Sequence, residues 1–397
     1  MKPLAIVIPW YGDNIRGGAE NEANYLAHIF KEAGHDVEVL TTCVETAAEP
    51  RGKNTLKDGE YVESGILVRR FKVKPQNIDS YIESNSKIYN NLSYTEQDEK
   101  AYFSEDINSP EMYSYIENHR QEYKAFLFIP YLYGITYNGT KACPDNCFLI
   151  SCFHDEPYIY MKLVKEMAER VKGIIYLSEP EKKLANRLFN LSNTPNEVLG
   201  AGVDDGWEFD LHPEAFREKY NINEPFMLYA GRKDSGKKVD LLIDYYLRFL
   251  ERNPSINLKL VLIGGGSMEI PVEQRENIID LGFVPVEDKH NAFAAAEIFC
   301  NPSFYESFSI VIMESWLAKR PVMVSGQCAV TKNFCIEAKA GLYFTDYYEF
   351  EEDTLLLLKN KGLADEMGKN GFEYVQDNFT RKVIAQKYIR FINDCFK

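Results

Sequence analysis

The run Gly231-Arg232-Lys233-Asp234-Ser235-Gly236-Lys237-Lys238 joins a strand-like segment to a helix-like one. Arginine offers a planar fork and lysine a point charge, so Arg232 and Lys237 can clamp two phosphates from one loop. A solvated cationic turn is the competing reading, and the position at the end of a strand favours the clamp. Downstream, Glu306 and Glu314 lie eight residues apart. Ser309 is expected to cap a helix here, leaving Glu306 in the preceding loop and Glu314 inside the helix. Eight helical steps span about 12 Å. That separation suits gripping hydroxyls at both ends of a nucleotide sugar, with the helix N-terminus facing its diphosphate. Glu314 also sits among Ile310, Val311 and Leu317, where an unpaired carboxylate would be costly.

Two further groups are weaker. Gly17-Gly18 follows the first strand and opens a helix, a place where bare backbone can approach an anion. It lacks the G-x-G-x-x-G spacing, which disfavours a nicotinamide dehydrogenase. Cys143, Cys147, Cys152 and His154 are all possible zinc ligands, but the C-x3-C spacing is loose and Cys152 falls in an apolar strand pattern, so zinc is disfavoured.

The elements that must position these residues alternate. Leu4–Trp10, a helical segment 19–33 and 36–42 make a βαβ opening. Strands are expected at 67–73, 125–132, 147–153, 173–177 and 196–201. The pattern restarts with strands at 226–231, 258–264, 278–284, 297–301, 321–325 and 341–345, and with helices at 238–251 and 309–318. Such Val/Ile/Leu-rich runs imply two α/β, doubly wound, parallel-sheet domains, with ligands at the carboxyl ends of strands in a cleft between the halves. The joint falls near 202–225. Residues 74–121 interrupt the first half as a polar insertion rich in tyrosine: Tyr81, Tyr89, Tyr94, Tyr102, Tyr113 and Tyr115. These are expected to pack small helices onto the sheet; a stacking platform for acceptor sugars is the sharper alternative.

The 397 residues are too many for one core, and 45% hydrophobic with 26% charged residues is a globular composition. A net charge of −15 leaves no electrostatic footprint for duplex nucleic acid, so an anionic ligand must be held by a few local groups. The first strand lacks a signal-peptide pattern and the longest apolar stretch, 126–137, is too short for a membrane span, so a cytoplasmic protein is expected. Eight cysteines scattered through apolar segments fit reduced, buried thiols. Arg51, Lys53, Lys57, Arg69, Arg70, Lys72 and Lys74 form a local basic stretch, read chiefly as a solvated surface, with transient contact to an anionic membrane face as the alternative.

Taken in order, Gly17-Gly18-Ala19-Glu20, the run at 34–41, Gly202-Val203-Asp204, Gly231-Arg232 with Lys237, the Gly264–Gly266 turn, and Pro302-Ser303 leading to Glu306 and Glu314 resemble the retaining glycosyltransferases of family 4. The resemblance implies a GT-B architecture of two Rossmann-like domains facing a central cleft. It divides the chain into an acceptor-binding domain at 1–202, a nucleotide-sugar domain at 203–378, and a C-terminal helix at 379–397 that crosses back to the first. By resemblance, Arg232 and Lys237 hold the donor diphosphate, Glu314 the ribose hydroxyls, Glu306 the sugar hydroxyls, and His154 lies beside the transferred sugar. Gly17, Gly18, Gly265, Phe283, Ser307, Phe308, Ser309 and Ile310 complete the expected donor contacts. Lys238, Ser307, Ser309 and Lys319 stand where the family commonly has glycine, and the change at Lys238 leaves open whether Lys237 or Lys238 reaches phosphate.

The activity implied is metal-independent, retaining transfer from a UDP-sugar, favoured over a GDP-sugar, to a saccharide or glycolipid of cell-surface glycan synthesis. No cofactor or metal is implied, and no Asp-x-Asp triplet occurs. A non-catalytic nucleotide-sugar sensor of the same fold is the alternative.

Overall fold

A computed structural model describes all residues except 1, 13–16, 48 and 271–273. The chain forms two compact units, residues 1–202 with 382–397, and residues 203–381.

In the first unit the strands are β1 (Leu4–Val7), β2 (Val37–Thr42), β3 (Gly59–Glu63), β4 (Ile66–Phe71), β5 (Ala125–Phe128), β6 (Cys147–Ile150), β7 (Gly173–Tyr176) and β8 (Asn196–Val198). They lie in the order β3-β4-β2-β1-β5-β6-β7-β8. The central strands β1, β5, β6 and β7 are buried along their whole length, as their continuous apolar runs require of a sheet covered on both faces. All pairings are parallel except β3 with β4. An all-parallel sheet was therefore the wrong expectation at this edge. Ser64 and Gly65 both take positive φ (46° and 82°), the geometry of a two-residue hairpin. The exposed Gly59–Glu63 segment carries too few apolar residues to announce a strand.

Helix α1 (Gly18–Glu32) crosses from β1 to β2. The insertion folds as α2 (Ile78–Tyr89), α3 (Glu96–Glu105) and α4 (Pro110–His119). Each begins on a side-chain cap: Asn77, Thr95 in a capping box with Asp98, and Ser109 ahead of Pro110. Tyr102 is buried and Tyr81, Tyr94, Tyr113 and Tyr115 pack on the same core, while Tyr89 is exposed. These rings bind helices to the sheet. In the basic stretch, Arg51 pairs with Asp106, Arg69 with Glu38 and Glu60, Arg70 with Glu63, Lys72 with Asp58, and Lys74 with Glu105, which removes most of its net charge. The unit continues through α5 (Gly134–Ala142), α6 (Lys162–Arg170) and α7 (Glu179–Leu188).

The second unit contains α8 (Pro213–Tyr220), β9 (Phe226–Ala230), α9 (Val239–Arg252), β10 (Lys259–Ile263), β11 (Ile278–Gly282), α10 (Val286–Ala295) and β12 (Ile298–Asn301). It continues with α11 (Ile310–Leu317), β13 (Val322–Ser325), α12 (Ala329–Ala338), β14 (Gly341–Phe344), α13 (Tyr347–Lys359) and α14 (Lys361–Asn378). Its strands run β11-β10-β9-β12-β13-β14, all parallel. Strand order reverses between β9 and β12, the position at which open sheets of this kind take ligands in a crevice outside the carboxyl ends of the strands.

The last helix, α15 (Arg381–Asp394), buries Ile384, Tyr388, Phe391 and Ile392. The Tyr388 hydroxyl donates to the Gly200 carbonyl at 3.1 Å, and its ring lies 5.8 Å from that of Phe30, while Phe391 lies 6.0 Å from Phe148. Residues 382–397 thus complete the core of the first unit.

Candidate functional site

The loops after β9, β10 and β11 are laced together through backbone. Lys233 N–H donates to the Gly265 carbonyl at 2.7 Å and Gly264 N–H to Gly282 at 2.8 Å. Gly264 and Gly266 have positive φ, and a Cβ on either would strike the Gly231 or Lys233 carbonyl oxygen at 2.0 and 2.4 Å. Side chains are excluded there because two loops touch backbone to backbone. The Lys233 side chain, almost fully buried, seals the same junction by pairing with Asp280. A Cβ on Gly265 would lie 2.6 Å from the exposed ring of Phe283, so that ring caps this glycine turn.

On this base stand the basic residues. The Tyr229 hydroxyl donates to the Arg232 carbonyl at 2.7 Å, fixing the start of the loop. Asp234 holds the Arg232 guanidinium and accepts the Lys237 N–H at 2.9 Å. Arg232 is thus exposed and turned onto its own loop. Lys237 Nζ reaches across to Glu306 Oε1 at 2.8 Å, so the loops after β9 and β12 meet at the reversal point through an ion pair. Lys238 sits at φ 58°, and its ammonium lies 4.9 Å from the centre of the Phe304 ring. The two lysines are therefore distinct: Lys237 faces the carboxylate and Lys238 an aromatic face.

The loop after β12 is held by Asn301, whose Oδ1 accepts the Ser303 N–H at 3.0 Å and whose Nδ2 donates to Ser309 Oγ at 2.9 Å. Ser309 precedes α11 with φ 77° and makes no side-chain cap, contrary to expectation: its hydroxyl is taken by Asn301 and its backbone is left-handed. Lys319, after the helix, has φ 56°. Lys238, Ser309 and Lys319 therefore occupy left-handed positions that favour glycine, which accounts for the residue type expected at each, whereas Ser307 does not. Phe308 is buried against Phe334 and Phe379 at 5.3 and 5.0 Å, so only its backbone is left for a ligand. Ser307 and Ile310 are half-buried beside it. On α11, Glu314 is 7% exposed; Lys289 on α10 approaches its Oε1 to 2.5 Å, and Oε2 is buried without a hydrogen-bond partner.

Residues 213–374 match the family of glycosyl transferases group 1. The match lies within the second unit. An uncharacterized glycosyltransferase of Methanocaldococcus jannaschii is 32% identical over 189 residues, 41% of this chain and 47% of that protein. The chain spans about half the length of that relative. Among solved structures, sucrose-phosphate synthase from Thermosynechococcus elongatus superposes with a TM-score of 0.69 at 17% identity, over 100% of this chain and 99% of the other. The HepE protein of Anabaena in complex with UDP-glucose superposes with 0.66 at 13% identity, over 99% of each chain. The fold is GT-B.

In the first unit, Gly17 occupies the N-cap position of α1, but a Cβ there would lie 2.0 Å from Glu20 Oε2; Gly18 faces open space. Glu20, bonded by the Trp10 indole, thus fills the space over Gly17 and supplies negative charge at the helix start. The Gly17-Gly18 turn is less open to an anion than its glycines alone suggest.

His154 follows β6 and is half-buried. Its loop is held from beneath by Glu181 on α7, which accepts from Ser151 Oγ at 2.6 Å, Phe153 N–H at 2.7 Å and Leu177 N–H at 2.6 Å. Burial pushes the Glu181 carboxyl up to about 7 against the pull of these donors. Cys143 and Cys147 thiols turn to the carbonyls of Gly139 and Thr140. Among the described residues no three His, Cys, Asp or Glu side chains converge as a metal site, and no helix is long and apolar enough to cross a membrane.

Asp234, Asn301, Lys233 with Asp280, and Lys289 escaped the sequence reading. Asp234 lay inside the quoted motif, where its acceptor role was a usable signal. Lys289 had none, because its partner lies 25 residues away on another helix.

Proposed function

We propose that this chain transfers a sugar from a nucleoside diphosphate donor, UDP-linked in preference to GDP-linked, to a saccharide or lipid-linked glycan, with retention and without a metal ion. The observation that carries the reading is the Lys237–Glu306 pair at the strand-order reversal, within a segment that matches the glycosyl transferases of group 1. A diphosphate entering the crevice competes for the Lys237 ammonium. As Lys237 turns to phosphate, the Glu306 carboxylate is released to accept donor-sugar hydroxyls, which couples donor binding to sugar orientation. When the anomeric carbon–oxygen bond breaks, its electron pair goes to the leaving diphosphate. Lys237, Arg232 and the N–H groups opening α11 offset that charge. The acceptor hydroxyl bonds to the anomeric carbon on the face being vacated, and its proton passes to the departing phosphate oxygen. His154 is assigned to the transferred sugar and Glu314 to the ribose. The solved relative bound to UDP-glucose supports the choice of base.

The test incubates the purified protein with UDP- and GDP-sugars, with and without a chelator, and measures free nucleotide and glycosylated product. Release of UDP with chelator present and a product of unchanged anomeric configuration are expected. Tight UDP-sugar binding with neither hydrolysis nor transfer would make the protein a sensor.

A further inference from the structure

We propose that Lys289 is a positioning residue of the donor site, holding Glu314 so that one carboxylate oxygen is presented to the ribose hydroxyls. The inference rests on the reading of Glu314 as a ribose contact. Glu314 lies on α11 between the buried Met313 and Ser315, with Ile312 and Trp316 on the same short helix. A carboxylate so enclosed is costly to leave without an opposite charge beside it. Lys289 supplies it at 2.5 Å, and to one oxygen only: Oε1 is engaged, and Oε2 is buried with no hydrogen-bond partner. An ionised carboxylate only accepts hydrogen bonds, so Oε2 is matched to a hydroxyl donor and to nothing that lacks one.

The neighbours of Lys289 keep it in place. His290 stacks on Trp207 with ring centroids 3.9 Å apart and planes 9° apart, and Asn291 accepts the His212 N–H at 2.7 Å. With both following residues anchored, the Lys289 backbone is fixed and its half-buried side chain reaches Glu314 from a defined direction. An apolar residue at 289 would leave Glu314 Oε1 without its partner and the carboxylate free to rotate, which spoils Oε2 as an acceptor. Lys289 thereby sets discrimination between ribose and deoxyribose without touching the nucleotide.

The experiment is calorimetry with whichever of UDP and GDP the protein binds more tightly, and with its 2′-deoxy counterpart. The wild-type protein is expected to prefer the ribonucleotide about tenfold. Lys289→Met should abolish that preference by weakening the ribonucleotide while leaving the deoxynucleotide unchanged. Glu314→Gln should do the same, and the double variant no more than either alone. If Lys289→Met does not fold, Lys289→Arg keeps the charge but moves it, and should cut the preference at least threefold. Loss of preference in Glu314→Gln with full preference in the folded Lys289 variant would reduce Lys289 to a counter-charge and overturn the inference. A wild-type protein without ribose preference, or without nucleotide binding, would overturn the reading of Glu314 beneath it.

Discussion

At residue scale, the departures from glycine are legible as costs. Lys319 closes α11 at φ 56°, where a side chain strains the backbone and glycine does not. Lys319→Gly should therefore stabilise the protein by about 0.5–1 kcal/mol, less whatever its contact with the Phe372 ring contributes. Chemical denaturation reads the difference, and destabilisation would show that the ring contact outweighs the strain. Ser309→Gly is not equivalent, because it also removes the acceptor for Asn301. Charged residues at strand ends were visible in the sequence because residue type and position are both local. Their pairing was not. Arg232 with Asp234, Lys237 with Glu306, and Lys289 with Glu314 depend on rotamers and on which loops the topology brings together.

At the scale of elements, Glu181 shows how a helix fixes a loop it does not contain. Three donors converge on its carboxylate, so an amide there would oppose an N–H to at least one of them. Glu181→Gln should cost about 1–3 kcal/mol by leaving a buried donor unpaired, read by urea unfolding; an unchanged midpoint would contradict this account of the 151–153 loop. On α1, burial pushes the Glu22 carboxyl from its ordinary value near 4.5 up to about 8, with the Gly202 backbone drawing it part of the way back. Between those values the folded chain keeps a proton that the unfolded chain has lost, so this group's contribution to stability falls as pH rises. The stability of Glu22→Gln relative to wild type should accordingly increase from pH 5 to pH 8, followed by melting temperature. A difference that is flat with pH would refute the burial argument. The alternation of strand and helix was readable from apolar runs, whereas β3 was not, because it is an exposed edge specified by the Ser64-Gly65 turn.

For the molecule as a whole, a net charge of −15 makes the crevice a local exception. Its positive groups are held by acids that a phosphate must displace, so recognition is an exchange of partners. This changes what the two charged residues at the reversal point should do when removed. Lys237→Ala deletes a charge-assisted phosphate contact worth about 1.5–3 kcal/mol, whereas Glu306→Ala deletes the acid that competes for that lysine. The decisive measurement is therefore titration of UDP into the wild-type protein and both variants, with turnover of the sugar donor followed in parallel. UDP affinity should fall about tenfold to a hundredfold in Lys237→Ala and stay equal or become tighter in Glu306→Ala, while both lose transfer. A folded Glu306→Ala that loses UDP binding as severely as Lys237→Ala would contradict the exchange and the donor site drawn around it.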